Sequence, residues 1–375
     1  MERRLSALVG QQVQRAALGR LLGQERVGHA MLFEGPEGVG KTTIAMAVAA
    51  SLACLTPTAE GDACNDCRSC RALERGEHPD VARLERQGRE IKIDQVRTAT
   101  ARLRYDPLVG RAKVLLVLEA DRLREEAANA LLKTLEEPSS RTHFLLVSSR
   151  PQLLLHTIRS RCQTLRFGPL AEGDLVSILQ DELQRRGDDR DRSLLRLGAA
   201  LADGSLSAAR VRSDPAWQPV VDAVVDEVAS LGTRPFGHEV AFVESLQALL
   251  LQAPMPRDDD DDASDGETKA ASPKTSGDRR SKGLDRESIV MALDLVRAAL
   301  RDAALIASGV DPASLPHARW ARDLGALAAR AGTEPLLSSL DEIAEVEANL
   351  VYNPSSTLAM EALLASMSRH VRRGR

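Results

Sequence analysis

A glycine-rich segment near the start of the chain constrains the fold more than any other feature. Residues 35–42 read Gly-Pro-Glu-Gly-Val-Gly-Lys-Thr and match the phosphate-loop pattern G-x-x-x-x-G-K-[ST]. The mostly apolar run Met31–Glu34 precedes this segment, and Ile44, Val48 and Leu52 follow it at helical spacing. A strand, a glycine-rich loop and a helix in this order form the frame of a phosphate cradle, which disfavours a chance match. The sequence therefore predicts an α/β fold with a nucleotide-phosphate site.

The residue types in this loop suit phosphate binding for separate physical reasons. Glycines let the backbone approach a phosphate closely, with N–H groups directed inward. Lys41 would add a positive charge at the β- and γ-phosphates, and Thr42 would offer a hydroxyl to Mg²⁺. The positive end of the following helix dipole also favours an anion. The predicted nucleotide-binding residues of the loop are Gly35, Pro36, Glu37, Gly38, Val39, Gly40, Lys41, Thr42 and Thr43.

The first 168 residues alternate short apolar runs with helical patterns. One helical pattern places Ala128, Leu131, Leu132 and Leu135 on one face, and Pro138 ends it. Strands that alternate with helices favour a parallel sheet with helices on both faces. The predicted strands are Ala30–Glu34, Val81–Leu84, Lys113–Leu118, Phe144–Ser148 and Thr164–Phe167.

Strand signals end at Pro169, and helical periodicity takes over. A small helical region runs to about Arg212, and a longer one begins at Trp217. Two apolar helix faces stand out in the longer region, namely Ile289, Leu293, Val296 and Leu300, and Met360, Leu363, Leu364, Met367 and Val371. The predicted domains are residues 1–168, 169–215 and 216–375.

A polar segment, residues 254–286, interrupts the third predicted domain. It contains the run Asp258–Asp262, followed by Ser, Gly, Pro, Lys and Arg, with almost nothing apolar. Such a segment buries too little apolar surface to offset its ordering entropy, so we expect a disordered insertion. The simplest interpretation is a solvated linker, and a functional acidic tether is the alternative.

Composition narrows the function classes. Hydrophobic residues make up 43% of the chain, but only five Phe, two Tyr and two Trp are present, which disfavours a base-stacking platform for single strands. The formal net charge of −4 argues against a global basic field, so nucleic-acid contacts would be local or shared with partners. No apolar run approaches the ~18 residues that span a bilayer, and no signal-peptide pattern follows Met1, so we expect a cytoplasmic protein.

Four of the five cysteines are clustered in the sequence. Cys64, Cys67 and Cys70 are spaced by two CxxC steps, and Cys54 lies shortly before them. In a cytoplasmic protein such a set is typical of metal binding, and four thiolates suit tetrahedral Zn²⁺. Because all four positions would be filled, the predicted site is structural. Buried free cysteines are the alternative, which this polar loop disfavours.

Acidic residues follow the predicted strand Lys113–Leu118. A phosphate-loop ATPase needs carboxylates at this place, one to hold Mg²⁺ and one to orient the attacking water. Glu119 or Asp121 could contribute, and a merely solvated strand end is the alternative.

Several segments, taken in order, resemble one protein family. They are the phosphate loop, the cysteine quartet, Ala128–Pro138 and Ser160-Arg161-Cys162, while Val9-Gly10-Gln11 and His29–Phe33 fit the family's opening. The chain is similar to bacterial DNA polymerase III clamp-loader subunits of the AAA+ class, clearly so over residues 5–168. In the helical remainder, residues 353–364 resemble the end of the family's collar domain. The resemblance implies an AAA+ nucleotide-binding domain, a small helical lid and an all-α collar.

Two kinds of subunit share these motifs, namely the gamma/tau ATPase motor and delta-prime. The motor's Asp-Glu pair at the strand end is here Leu118-Glu119, and its lid arginine corresponds to Ser207. Both differences remove groups that would stabilise a transferring phosphoryl group, so we expect ATP binding with poor hydrolysis. Motor subunits also tend to continue into a long extra region, whereas this sequence ends at residue 375. The sequence therefore favours delta-prime, with gamma/tau as the alternative.

The resemblance also implies roles for single residues. Arg161 would be an arginine finger offered in trans to the ATP site of a neighbouring motor subunit, and a local helix-end salt bridge is the alternative. Ser149 occupies the family's sensor position after a strand. Val9 and Gly10, followed by Gln11, would lie at the adenine pocket. Cys162 is expected to be a small packed residue.

The implied partners are the other clamp-loader subunits, gamma/tau and delta, in a hetero-oligomer that opens a sliding clamp and closes it around primed DNA. The implied cofactors are ATP, magnesium and structural zinc. A cytoplasmic, nucleoid-associated location follows, with no membrane contact. A different class, a stand-alone phosphate-loop enzyme such as a small-molecule kinase, leaves the cysteine quartet, Arg161 and the long helical tail unexplained.

Overall fold

The apolar runs of the sequence form a parallel sheet. The computed structural model describes residues 4–188, 190, 192–253, 286–315, 317–349 and 355–373. Each predicted strand is present, with its ends shifted by no more than two residues. The strands are β1 (Ala30–Glu34), β2 (Val81–Leu84), β3 (Lys113–Val117), β4 (Thr142–Ser148) and β5 (Gln163–Arg166).

The strand order is β2-β3-β4-β1-β5, and all neighbouring strands run parallel. At the carboxyl end of β1, Glu34 lies in register with Ser148 on one side and with Arg166 on the other. The segment that leaves β1 therefore emerges between the ends of two neighbouring strands. That segment is the phosphate loop, so the sheet places β4 and β5 on either side of it.

Helices cover both faces of the sheet, because side chains alternate along each buried strand. Phe33 belongs to one apolar cluster with Ile44 and Val48, whereas Leu32 belongs to a second cluster with Leu131. The predicted α/β class is thereby confirmed. The helices are α1 (Gln12–Gly23), α2 (Lys41–Ala53), α3 (Arg68–Glu74), α4 (Ile93–Leu103), α5 (Glu125–Glu136) and α6 (His156–Arg159).

After β5 the described chain is helical, as predicted. Both predicted apolar faces are buried, and Trp217 lies in the same core cluster. The helices are α7 (Glu172–Arg186), α8 (Arg192–Ala200), α9 (Leu206–Arg212), α10 (Gln218–Ala229), α11 (His238–Leu250), α12 (Arg286–Ala307), α13 (Ala321–Ala331), α14 (Thr333–Asn349) and α15 (Ser356–Arg373).

The described residues divide into two compact units. One comprises the chain up to Glu182 together with Asp203–Leu206, and the other comprises Leu183–Ala202 and the residues from Ser207 onward. The predicted lid is shared between them, so the three-domain organisation stays a prediction. The predicted insertion at 254–286 lies outside the described residues, except that Arg286 begins α12.

A search of the described helices for membrane-spanning segments found none of sufficient length and apolarity.

Candidate functional site

The phosphate loop has the backbone that its glycines predict. Gly35 has φ +150°, and a Cβ there would lie 2.3 Å from the carbonyl oxygen of Phe167, so only glycine fits. The Gly35 N–H donates to the Ser148 carbonyl at 3.3 Å, which ties the loop to β4. Gly40, with φ +91°, is the residue before α2, and Lys41 begins that helix. The loop thus passes from β1 directly into a helix N-terminus.

Lys41 is held inside the loop. Its side chain is buried, and its Nζ donates to the carbonyl of Gly35 at 2.8 Å and to that of Pro36. Nζ also lies 3.3 Å from the hydroxyl oxygen of Ser149. Burial lowers the pKa of Lys41 to about 8, although the carboxylates of Glu37 and Asp121 act in the opposite direction. Lys41 and Ser149, predicted separately, therefore meet in one site.

Thr42 and Thr43 occupy the first turn of α2 and are half-buried. Residues of this turn lie beside the N–H groups that a helix leaves without intrahelical partners. Their roles near phosphate and Mg²⁺ stay a prediction.

The N-terminal segment is bonded to the phosphate loop. Gln11 donates through Nε2 to the carbonyls of Val39 at 3.2 Å and Gly168 at 2.6 Å. Gly10 has φ +79°, and a Cβ there would lie 2.4 Å from a methyl carbon of Leu170. Val9 is 43% exposed. Of this predicted adenine-pocket segment, Gln11 is bonded to the loop through Val39, and the adenine role of Val9 and Gly10 stays a prediction.

The two acidic residues after β3 lie in different surroundings. Glu119 adopts a left-handed backbone, φ +48°, and its carboxylate pairs with Arg86 at 2.9 Å and with Arg122 at 3.8 Å. Asp121 accepts hydrogen bonds from the Ser148 hydroxyl at 2.7 Å and from the Ser149 N–H at 3.3 Å. The sequence pattern made both residues candidates for the carboxylate of the nucleotide site. In the structure, Asp121 is the one that contacts Ser149.

Arg161 lies just before β5 and is paired within the chain. Its Nη2 contacts Glu136 Oε1 at 2.7 Å, at the end of α5, and its Nη1 donates to the Thr157 carbonyl at 3.0 Å. Both charged side chains are partly exposed, 38% for Arg161 and 48% for Glu136. The helix-end salt bridge that the sequence left as an alternative is therefore formed in this structure.

The four clustered cysteines converge on one point. Their Sγ atoms all lie within 4.8 Å of one another, and the Cys54–Cys67 and Cys64–Cys70 distances are each 3.9 Å. Zinc–sulfur bonds of ~2.3 Å at tetrahedral corners place sulfur atoms roughly 3.8 Å apart. The donor set and its spacing therefore fit one Zn²⁺ ion.

Backbone N–H groups support the thiolate form of part of this set. Burial raises the pKa of Cys64, but hydrogen bonds from Thr56, Asp66 and Cys67 act more strongly and lower it to about 6. Burial raises the pKa of Cys70. Against the effect of burial, hydrogen bonds also lower the pKa of Cys67, whereas burial raises the pKa of Cys54. A bound metal ion would deprotonate the thiols that remain protonated.

A buried polar network connects this cysteine cluster to the sheet. Ser69 donates to the Ala53 carbonyl at 2.8 Å and lies 2.8 Å from His78 Nε2. Asp80 in turn accepts three backbone N–H bonds, at 2.7–2.9 Å, from residues 108–110. Sequence reasoning missed this network, because no local pattern marks a His-x-Asp step as a buried anchor.

Comparison with known proteins gives a consistent family result. The profile of the family described as DNA polymerase III, delta subunit, matches residues 10–171. The delta-prime subunit of Bacillus subtilis DNA polymerase III is 42% identical over 147 residues, which are 39% of this chain and 44% of that protein. The tau subunit from Escherichia coli is 34% identical over 241 residues, 64% of this chain and 37% of that protein. The predicted resemblance is confirmed.

A solved structure of a DNA polymerase III gamma-subunit-related protein from Thermotoga maritima aligns with 95% of this chain and 99% of its own. It is 17% identical, with a TM-score of 0.40. The chain spans less than half the length of the two curated relatives described above.

Proposed function

We propose that this chain is a clamp-loader subunit of DNA polymerase III, of the delta-prime kind, which binds ATP in its own phosphate loop and hydrolyses it poorly. The observation that supports this most strongly is the match of residues 10–171 to the delta family, together with 42% identity to a delta-prime subunit. The matched segment includes the whole phosphate loop, so nucleotide binding and family assignment rest on the same residues.

ATP and Mg²⁺ fit the loop by the chemistry of its residues. Lys41 would neutralise the β- and γ-phosphates, Thr42 would face Mg²⁺, and Thr43 would add a hydroxyl in the same turn. Val9 and Gly10 would border the adenine. The Phe167 carbonyl leaves no room for a side chain at Gly35, and a glycine backbone can approach a phosphate closely.

Poor ATP hydrolysis is expected from the residues at two positions where this sequence differs from the gamma/tau motor. Leu118 replaces a metal-binding aspartate, and Ser207 replaces the lid arginine. Each group would otherwise stabilise charge on the transferring phosphoryl group. The Glu119 carboxylate is engaged by Arg86 and Arg122, which does not favour it as a base for attacking water.

Arg161 would act on the ATP of a neighbouring motor subunit. A guanidinium carries a permanent charge in a planar fork that matches phosphate oxygens. To reach a neighbour, Arg161 would have to leave Glu136, and opening a partly exposed pair costs only about 0–1 kcal/mol. The local pair is therefore compatible with a role in trans.

The cysteine cluster would hold a structural zinc ion through Cys54, Cys64, Cys67 and Cys70. Four protein ligands leave no open coordination position, so no catalytic role is proposed for the metal.

We further propose that the chain works in a hetero-oligomer with gamma/tau and delta subunits, in the cytoplasm, where the assembly places a sliding clamp on primed DNA. The subunit names of the relatives support this proposal.

The second candidate is a gamma/tau-like motor. The observation that favours it is the tau match, which extends over 241 residues, compared with 147 residues for the delta-prime subunit of Bacillus subtilis and 181 for that of Escherichia coli. The two candidates differ in whether the isolated chain hydrolyses ATP.

One pair of measurements tests both candidates. ATP turnover of the purified full chain, with clamp and primed DNA, is expected to be close to background, and vigorous turnover abolished by Lys41→Ala would favour the motor. In an assembly reconstituted with motor subunits, Arg161→Ala should slow turnover at the facing site by about 10³-fold. Arg159→Ala, a nearby exposed arginine, is the matched control, and equal rates for both variants would remove the finger role.

A further inference from the structure

The turn after β3 places the acidic side chains of Glu119 and Asp121 in different surroundings. Glu119 takes the left-handed backbone conformation, and a short 3-10 turn, Ala120–Arg122, follows it. The Glu119 carboxylate is 42% exposed, whereas the Asp121 side chain is only 4% exposed. The turn therefore leaves Glu119 near the surface and buries Asp121.

Asp121 is bonded to the end of the neighbouring strand. Its Oδ1 accepts from the Ser148 hydroxyl at 2.7 Å and from the Ser149 N–H at 3.3 Å, and its Oδ2 lies 3.5 Å from Arg150 Nε. The Ser148 hydroxyl also accepts from the Arg150 N–H at 3.2 Å. One carboxylate thus fixes three consecutive residues at the carboxyl edge of the sheet.

The same residues lead to the phosphate loop. Ser149 donates its backbone N–H to Asp121, and its Oγ lies 3.3 Å from Lys41 Nζ, so Ser149 links Asp121 to Lys41. A buried carboxylate is costly unless cations and hydrogen bonds compensate it. Arg150 and Lys41 are the cations that contact Asp121 or feel its charge.

We propose that Asp121 is a positioning residue of the nucleotide site. It would hold the backbone of Ser149 so that the Ser149 hydroxyl lies beside the Lys41 ammonium and both meet the terminal phosphate of a bound nucleoside triphosphate. This rests on the proposed function, namely ATP binding in the phosphate loop. Asp121 acts through Ser149, because both of its oxygens are already engaged by Ser148, Ser149 and Arg150.

A binding comparison on the full chain tests this role. Fluorescent ATP and ADP analogues are titrated with Mg²⁺ against wild type, Asp121→Ala and Asp121→Asn. Asp121→Ala removes the acceptor and the charge, so ATP affinity should fall about tenfold, with ADP affinity changing less than about threefold. Asp121→Asn keeps one acceptor oxygen and should lose about threefold for ATP. A merely structural role would weaken ATP and ADP equally and overturn the proposal.

Further variants distinguish the ways in which the proposed role of Asp121 could prove wrong. Glu125→Gln, an exposed carboxylate at the start of α5, is the matched control and should bind both nucleotides as wild type does. If Glu119→Gln weakens ATP as much as Asp121→Ala does, Glu119 supplies the carboxylate and the proposal is wrong. If Asp121→Ala does not fold, as circular dichroism would show, the ATP-to-ADP ratio of Asp121→Asn decides.

Lys41→Ala distinguishes this inference from the proposed function. If Lys41→Ala abolishes ATP binding while both Asp121 variants bind as wild type, only the role of Asp121 is lost. If wild type itself binds no ATP, the proposed function and this inference both fail.

Discussion

The phosphate loop and the cysteine cluster lie at opposite ends of α2, and the chain builds them by opposite means. At the start of the helix, backbone carbonyls of the loop surround the ammonium of Lys41. At its end, backbone N–H groups surround the sulfur of Cys64. The loop would act only when a ligand supplies phosphates, whereas the cluster would hold its metal ion with four side chains of this chain. A change at one end should therefore leave the function of the other intact.

The largest expected effect is at the cluster. Cys67→Ser should remove most of the bound zinc and lower the free energy of unfolding by about 3–5 kcal/mol, because the loop would lose the ion that closes it. ATP affinity should stay within about twofold of wild type. Elemental analysis, thermal unfolding and ATP titration measure the three quantities. Cys162→Ser, outside the cluster, is the control, and equal zinc content in both variants would contradict a four-cysteine site.

At the loop, Lys41→Ala should weaken ATP binding about a hundredfold, because charge-assisted hydrogen bonds to two phosphates are lost. Zinc content should not change. Since burial disfavours the charged Lys41, thermal stability should stay equal or rise slightly. Lys133→Ala, an exposed lysine of α5, serves as the control in the same titration. A matching loss in the control would point to a nonspecific charge effect.

The pH dependence should also separate the two ends. Because the pKa of Lys41 is lowered to about 8, its charge is present below that pH and is lost as pH rises through it. ATP affinity should therefore fall about tenfold between pH 7 and pH 9. Zinc content should be constant over this range. Lys41→Arg keeps its charge, so a residual fall of the same size in that variant would assign the titration to another group.

The smallest effect should come from Thr56→Val. The Thr56 hydroxyl donates to Cys64 Sγ at 3.3 Å, and sulfur is a weak acceptor. Its loss should weaken zinc about threefold in a chelator competition and should not alter ATP binding. Thr58→Val does not test the same bond, since its hydroxyl accepts from the Asp62 N–H, and it therefore controls for loss of a hydroxyl in this loop. A larger effect on ATP than on zinc would contradict the separation.

Local sequence patterns were sufficient to predict the strands and the phosphate loop. The strands of the sheet interior contain buried apolar runs such as Leu115–Val117, and a buried parallel strand favours that composition. The loop is specified by glycines that local geometry demands, as Gly35 shows. Three members of the cysteine cluster follow from spacing, because two CxxC steps bring the thiols of Cys64, Cys67 and Cys70 close together, and the return of the loop to the end of α2 adds Cys54.

Contacts between distant segments could not be predicted in this way. The sequence left Glu119 and Asp121 as equal candidates, and the left-handed conformation of Glu119 separates them. The pairing of Arg161 with Glu136 depends on where α5 ends relative to β5, which no window of sequence contains. Strand order likewise depends on how the helices cover the sheet.

The short edge strand β5 has one more consequence. Arg161 precedes its first residue, and Phe167, directly after its last, touches the first glycine of the loop. Four residues of strand span about 13 Å, and β1 holds them in register. A short segment of paired backbone thus joins the phosphate loop, beside the carboxyl end of β5, to Arg161, before its amino end. A displacement of either one would be transmitted to the other along this strand.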